Sequence, residues 1–212
     1  MRVLLTAGGT REPVDDVRVL ANTSTGRLGA QLADAFVDAG HPVVLLHAQG
    51  AARPSQPGVE RHVFGASSEL WTLMQRQLPD AEVVLHAAAV SDYLPVRAPG
   101  KLSSDADELV LRLTRAPKLI DRLRAHAPAA FLVGFKLTSG RDRAQRVSLA
   151  RGLAERAQLD LVVANDARHT GDQDHEALLV TADDVRHVGG GKAALARALV
   201  DAVCGARRLA AP

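Results

Sequence analysis

Short apolar runs alternate with stretches whose apolar residues recur at helical spacing, from the first residues of the chain to the last. Arg2–Thr6, Val43–His47, Val59–Phe64, Ala81–Ala88, Ala130–Leu137 and Leu159–Ala164 each predict a strand. Those at 81–88, 130–137 and 159–164 are nearly all apolar, as strands covered on both faces are. Leu28, Leu32, Ala35, Phe36 and Ala39 mark the inward side of a first helix, which Gly40 closes. Leu70, Leu73 and Met74 do the same for Ser67–Gln77. Further helices are predicted over Pro117–His126, with Pro at its start, over Arg141–Ala157 and over Gly191–Val203. Leu109–Leu113 reads as a half-exposed strand, and Ala177–Thr181 with Val185–Val188 as an edge hairpin. This alternation predicts an α/β fold: a doubly wound, mostly parallel, Rossmann-like sheet with a small β flap and an edge hairpin. Residues 1–212 are expected to form one domain, the flap lying at about 97–114.

Ligands of such sheets bind beyond the carboxyl ends of the strands, so the loops that follow strands carry the candidate chemistry. The first of these is long. Gly8 and Gly9 follow the strand directly, but Gly26 and Gly29 come only after a polar insert containing Arg11, Glu12, Asp15, Asp16 and Arg18. A dinucleotide fingerprint keeps its glycines within about six residues, so this loop is of another kind. Val14, Val17, Val19 and Leu20 are expected to pin it to a core. Asn22 stands before Thr23-Ser24-Thr25-Gly26, where its amide can donate to a carbonyl or oxyanion and also accept. It can equally belong to the turn, with Ser24 or Thr25 as a helix N-cap.

Three later strand ends and the flap add candidates. After Ala81–Ala88 come small residues that admit close approach to the backbone, then Asp92, suited to a ribose hydroxyl, a metal-bound water or a turn. Lys101 follows Pro99-Gly100 and can act on phosphates as a point charge. Phe135 is placed to pack on a base, Lys136 to reach a triphosphate, and Asn165 to read a base edge.

Composition excludes other classes. Aromatic residues are 3%, too few for a surface that stacks the bases of single-stranded nucleic acid. The net charge of +2 comes from interspersed acids and bases, which argues against a polyanion partner. Cys204 is the one cysteine, so no disulfide within the chain and no cysteine metal site are expected. The histidines lack metal-ligand spacing. Gly189–Lys192 lacks the hydroxyl residue of a phosphate loop and reads as a turn and helix start. With no signal-like or membrane-length apolar run, a soluble, cytoplasmic protein is expected.

The runs G-G-T-R-E-P-V-D and V-R-x-x-x-N-T-S-T-G-R-L-G, the later A-A-V-S-D-Y, the flap K-L-S-S, the G-F-K-L around Phe135 and the A-N-D at Asn165 together resemble phosphopantothenate–cysteine ligases. The resemblance implies that Asn22 holds the acyl end of the substrate while an acyl-nucleotide forms, with Ser24, Thr25, Gly26 and Arg27 also binding substrate. It implies nucleotide contacts at Gly8, Gly9, Ala88, Asp92, Lys101, Pro117, Phe135, Lys136 and Asn165, and phosphate neutralisation by Lys101. The substrates would be 4′-phosphopantothenate, L-cysteine and a nucleoside triphosphate with Mg²⁺, CTP more readily than ATP, in a homodimer with no resident metal site and no nucleic-acid or membrane partner. Because residue 2 already starts the first strand, no flavin-binding domain is expected ahead of it, and the stand-alone branch of the family fits. Where many members carry further flap lysines, Ser103 and Ser104 stand here, and Ala116 replaces a commoner Asn. Two family lysines fall on Leu153 and Ala157, leaving Arg156 as a substitute. Two other readings are a short-chain NAD(P)-dependent reductase and an inactive nucleotide-binding homologue. Against the reductase, Tyr93 is followed by Arg97 rather than Lys, and the second strand ends in His47 rather than an acid.

Overall fold

The structure is a computed structural model that describes residues 1–105 and 107–209. Its centre is β1 (Val3–Ala7), whose five residues are all buried. On one side β1 pairs with β4 (Val43–Ala48), and β4 with β5 (Val59–Phe64), all parallel. On the other it pairs with β6 (Val83–His86), followed by β9 (Phe131–Thr138) and β10 (Leu161–Thr170), again parallel. The antiparallel strands β11 (His175–Val180) and β12 (Val185–Val188) complete the eight-stranded sheet as an edge hairpin. The parallel strands thus run out from β1 in both directions, the doubly wound order whose switch point lies between β1 and β6.

Alternation along each strand sends successive side chains to opposite faces. Leu5, Leu45, Leu85, Val133 and Val163 meet helices α1 (Arg27–Asp38) and α5 (Gly191–Leu209) on one face. Leu4, Leu46, Val84, Leu132 and Val162 meet α2 (Ser67–Gln77), α3 (Leu123–His126) and α4 (Arg143–Ala157) on the other. Two covered faces are why the strands read as continuous apolar runs.

Three sequence expectations are corrected. The first loop contains a small hairpin, β2 (Arg11–Pro13) with β3 (Val19–Ala21), and of its four apolar residues only Val14 is buried; Val17 is 64% exposed, and Val19 and Leu20 are exposed too. Two three-residue strands present no second layer for these residues to pack against, so polar anchors hold the hairpin instead. The strand expected at Leu109–Leu113 is confined to β8 (Leu113–Arg115), which pairs with β7 (Tyr93–Pro95), while 109–112 is exposed and outside any strand. The helix expected from Pro117 starts as a 3-10 turn at Leu119–Arg122 and becomes α-helical only at α3.

Candidate functional site

The switch point is built from small residues because backbones meet there. Gly8 adopts φ +86°, and a Cβ on it would stand 2.7 Å from the Cβ of Ala48. A Cβ on Gly26 would come 2.8 Å from the Cβ of Ala51 and 3.4 Å from the Gly8 amide nitrogen. Gly8 and Gly26, far apart in sequence, therefore touch, and the insert between them is an excursion that leaves and returns at one point. Gly26 is the N-cap of α1 and offers no side chain, so neither Ser24 nor Thr25 caps the helix. Thr23, Ser24, Thr25 and Arg27 are exposed around an uncapped helix N-terminus, where backbone amides and the helix dipole favour an anion.

Gly9 bridges Ala89 across the switch point, and the Gly8 carbonyl accepts the Ala89 amide at 2.8 Å. The Ala89 carbonyl in turn accepts the Thr10 amide at 3.1 Å and Nδ2 of Asn22 at 2.9 Å. Asn22 is exposed, so this bond orients its amide while the second N–H and Oδ1 stay open to solvent. The sequence candidates Gly8, Gly9, Asn22, Gly26 and Ala88 are therefore brought together.

Buried polar pairs stiffen the loop after β6. Thr10 Oγ1 accepts the Ser91 amide at 3.1 Å and lies 3.0 Å from the Ser91 hydroxyl. Thr6 Oγ1 accepts the Ala88 amide at 3.1 Å and lies 2.9 Å from Nδ1 of His86. Complete burial lowers the His86 imidazole to about 4, so it is neutral at physiological pH. Sequence reasoning missed His86, whose only signal is a titratable residue inside an apolar strand.

Asp92 is exposed and forms an ion pair with Lys118, and its carbonyl accepts the Ala116 amide at 2.9 Å. Ala116 thus acts through its backbone. Pro117 beside it is exposed, and Lys118, which sequence reasoning passed over, is the cation at this strand end.

Phe135 and Asn165 share a face. Phe135 packs against the α1/α5 core, and Asn165 stands two residues beyond Val163, the register partner of Phe135. Asn165 is buried; its Nδ2 donates to Nε2 of His175 at 3.3 Å, and its Oδ1 has no partner. Burial first, then the charge of Lys192, lowers the His175 imidazole. Arg27 and Lys192 both reach Asp172, at 2.7 and 2.6 Å, drawing the N-termini of α1 and α5 to one carboxylate. The run at 189–192 is thus a turn and helix start, as its sequence suggests. Lys136 pairs with Ala164 and leaves β9 on the face opposite Phe135, so these two neighbours serve different sides of the sheet.

Lys101 is exposed on the segment between β7 and β8. Leu153 and Ala157 face the core, and Arg156 pairs with Asp121 at 3.2 Å. Arg156 lies at the end of α4 that leads into the start of β10, at the rim of the sheet opposite the switch point. It does not replace the family lysines at the site. Among the described residues no group of three or more His, Cys, Asp or Glu side chains is placed to hold a metal ion, and no helix is long and apolar enough to cross a membrane.

Comparison with known proteins gives this geometry its relatives. The family model described as DNA/pantothenate metabolism flavoprotein C-terminal domain matches residues 1–206. The coenzyme A biosynthesis bifunctional protein CoaBC of Methanocaldococcus jannaschii is 31% identical over 95% of the chain and 50% of its own length. That of Thermococcus kodakarensis is 38% identical over 86% of the chain and 45% of its own length. The chain spans about half the length of these curated relatives. A crystal structure of the DNA/pantothenate metabolism flavoprotein from Streptococcus pneumoniae is 30% identical, covers 97% of this chain and 99% of its own, and superposes with a TM-score of 0.91. With the family model running through every strand of the sheet and both walls of the switch point, the chain belongs to the DNA/pantothenate metabolism flavoprotein C-terminal domain family.

Proposed function

We propose that this protein is a phosphopantothenate–cysteine ligase of coenzyme A biosynthesis. The observation that carries the reading is the Asn22 amide, oriented by the Ala89 carbonyl at a switch point of small residues, in a chain whose relatives are coenzyme A biosynthesis proteins. The carboxylate of 4′-phosphopantothenate attacks the α-phosphate of a nucleoside triphosphate, CTP in preference to ATP. Pyrophosphate leaves and an acyl-nucleotide forms. The amine of L-cysteine then attacks the acyl carbon, and the nucleoside monophosphate departs.

The residues divide this work by position. Asn22 donates its free N–H to the acyl oxygen as charge develops there. The uncapped N-terminus of α1, with Ser24, Thr25 and Arg27, holds the phosphates. Phe135 and Asn165 receive the nucleotide base on the α1/α5 face. Lys101, Lys118 and Lys136 offset phosphate charge as point charges. Mg²⁺ brought by the triphosphate would add Lewis-acid neutralisation, and the exposed Asp92, whose Oδ1 pairs with Lys118, would meet it through a metal-bound water. Little acid–base equipment is needed, because the acid is activated by phosphoryl chemistry.

We also read residues 1–212 as one catalytic unit that acts as a cytoplasmic homodimer. The exposed Val17, Val19 and Leu20 of the hairpin, with Val96 just before the flap and Val110 within it, are apolar surface suited to a second copy. The deciding experiment is pyrophosphate release with 4′-phosphopantothenate and cysteine, supplying CTP or ATP in parallel. Release that requires the acid, with one nucleotide preferred, is expected; folded protein that releases none with either nucleotide would refute the ligase.

A further inference from the structure

Lys101 does not sit at a free loop tip. Its two neighbours are both fastened to the turn between β2 and β3. The Gly100 carbonyl accepts the Asp16 amide at 3.0 Å. The Leu102 amide donates to Oδ2 of Asp15 at 3.0 Å, and the Leu102 carbonyl accepts from Arg18 at 3.2 Å. Just before them, the Ala98 amide donates to the Val14 carbonyl at 2.9 Å and Arg97 pairs with Asp16 at 2.9 Å. Residues 14–18 and 97–102 thus form one stitched unit, although neither has a hydrophobic layer of its own. Past it, Ser103–Asp105 and 107–112 are exposed.

Asp15 is the centre of this unit. It is 2% exposed, and Oδ1 accepts the amides of Val17 at 2.9 Å and Arg18 at 2.6 Å while Oδ2 takes Leu102. The Arg18 guanidinium stands 3.3 Å from the same carboxylate. A buried carboxylate that accepts three amides closes the hairpin turn and the flap stem together. Burial favours the neutral acid, but the three amides and Arg18 outweigh it and hold the carboxyl below its ordinary value.

We propose that Asp15 is the positioning residue for Lys101: its carboxylate fixes the backbone on which Lys101 stands, so that only the side chain moves to reach phosphate. What Lys101 does there rests on the ligase reading; how it is held does not. The test combines trypsin cleavage of the Lys101–Leu102 bond, identified by fragment mass, with turnover of the full chain. Asp15→Asn keeps the shape but replaces a carboxylate oxygen with a group that cannot accept an amide. It should speed cleavage at Lys101 by about tenfold or more, since cleavage follows the population of the opened segment.

Turnover of Asp15→Asn should fall about tenfold, with no further fall when Asp15→Asn is added to Lys101→Ala, because residues that act through one another are not additive. Cleavage at the wild-type rate, or losses that multiply in the double variant, would overturn the proposal. Should Asp15→Asn fail to fold by circular dichroism, Leu102→Pro deletes the same bond from the flap side and is read by turnover alone, because trypsin does not cut a Lys–Pro bond. It must show the same dependence on Lys101, and full activity would overturn the clamp. If the wild type releases no pyrophosphate with either nucleotide, the ligase reading fails, and the cleavage rate alone decides the clamp.

Discussion

Thr6 Oγ1 lies 2.9 Å from Nδ1 of His86, joining β1 to β6 where the sheet changes direction. The same hydroxyl accepts the Ala88 amide at 3.1 Å, so one buried polar pair sets the bend that carries Ala88 and Ala89 past Gly8 and Gly9. A buried polar group needs its partner, and here both partners are on strands whose places the core already determines.

This pair makes the fold acid-sensitive. Burial lowers His86 to about 4, below its ordinary 6.5, so the unfolded chain takes up a proton that the folded one refuses. The stabilisation is complete above about pH 6.5 and is lost as pH falls from there to about 4, amounting to roughly 3 kcal/mol. His41 and His175 are lowered too and act in the same direction. Urea midpoints measured from pH 7.5 to 4 should fall for the wild type and fall less steeply for His86→Gln. Equal slopes would show that His86 does not carry the effect.

Asn22→Ala removes an exposed side chain, so the melting temperature should hardly change; surface substitutions of this kind stay within about 0.5 kcal/mol. Acid-dependent pyrophosphate release should drop by about 10²–10³-fold, the usual cost of losing a donor aimed at developing charge. A drop confined to KM would assign Asn22 to binding alone.

Lys101→Ala should leave the fold intact and slow turnover by about tenfold or more, with Lys101→Arg restoring part of the rate, since arginine keeps the charge but not the compact ammonium. The Lys101→Ala loss should shrink in high salt, where exposed charges are screened. Steady-state rates at two ionic strengths measure this.

Gly29 presses α1 onto β1, and a Cβ there would stand 2.3 Å from the Cβ of Ala7. Both elements are buried in the core, so Gly29→Ala should cost about 1–3 kcal/mol by overpacking. It should also weaken nucleotide binding by tilting the N-terminus of α1. Thermal melts and titration with CTP test the two effects separately.

Glu12 accepts the Ser67 amide at 3.0 Å and so caps α2 from the hairpin, across 55 residues of sequence. The helix has no cap of its own, its N-cap being Ala66. Nothing near Ser67 in the chain points to this partner. The strands of the eight-stranded sheet and α1, α2, α4 and α5, by contrast, were legible because each declares itself over a few residues: Val43–Ala48 by its unbroken apolar run, Ser67–Gln77 by Leu70 and Met74 on one side. Asn22, Asp92 and Lys101 stood out because motifs are local too.

What was misread lay where the chain lacks a second layer. Val17, Val19 and Leu20 look like core residues, and 109–112 like part of a strand, yet among the described residues no element packs over them and they are exposed. Phe135 and Lys136 are adjacent in sequence, and only the pleat of β9 shows that they leave it on opposite faces, so that base and phosphates would be met from different sides.

By itself the sequence determined the periodic elements, the doubly wound class and the small residues at strand ends, because spacings of two and 3.6 residues are properties of the local backbone. Only the tertiary structure decided that Gly8 meets Gly26, that Asn22 is held by Ala89, and that Asp15 holds the flap through Leu102. Those partners are brought together by an open, mostly parallel sheet, whose strand order fixes distances that no local spacing encodes.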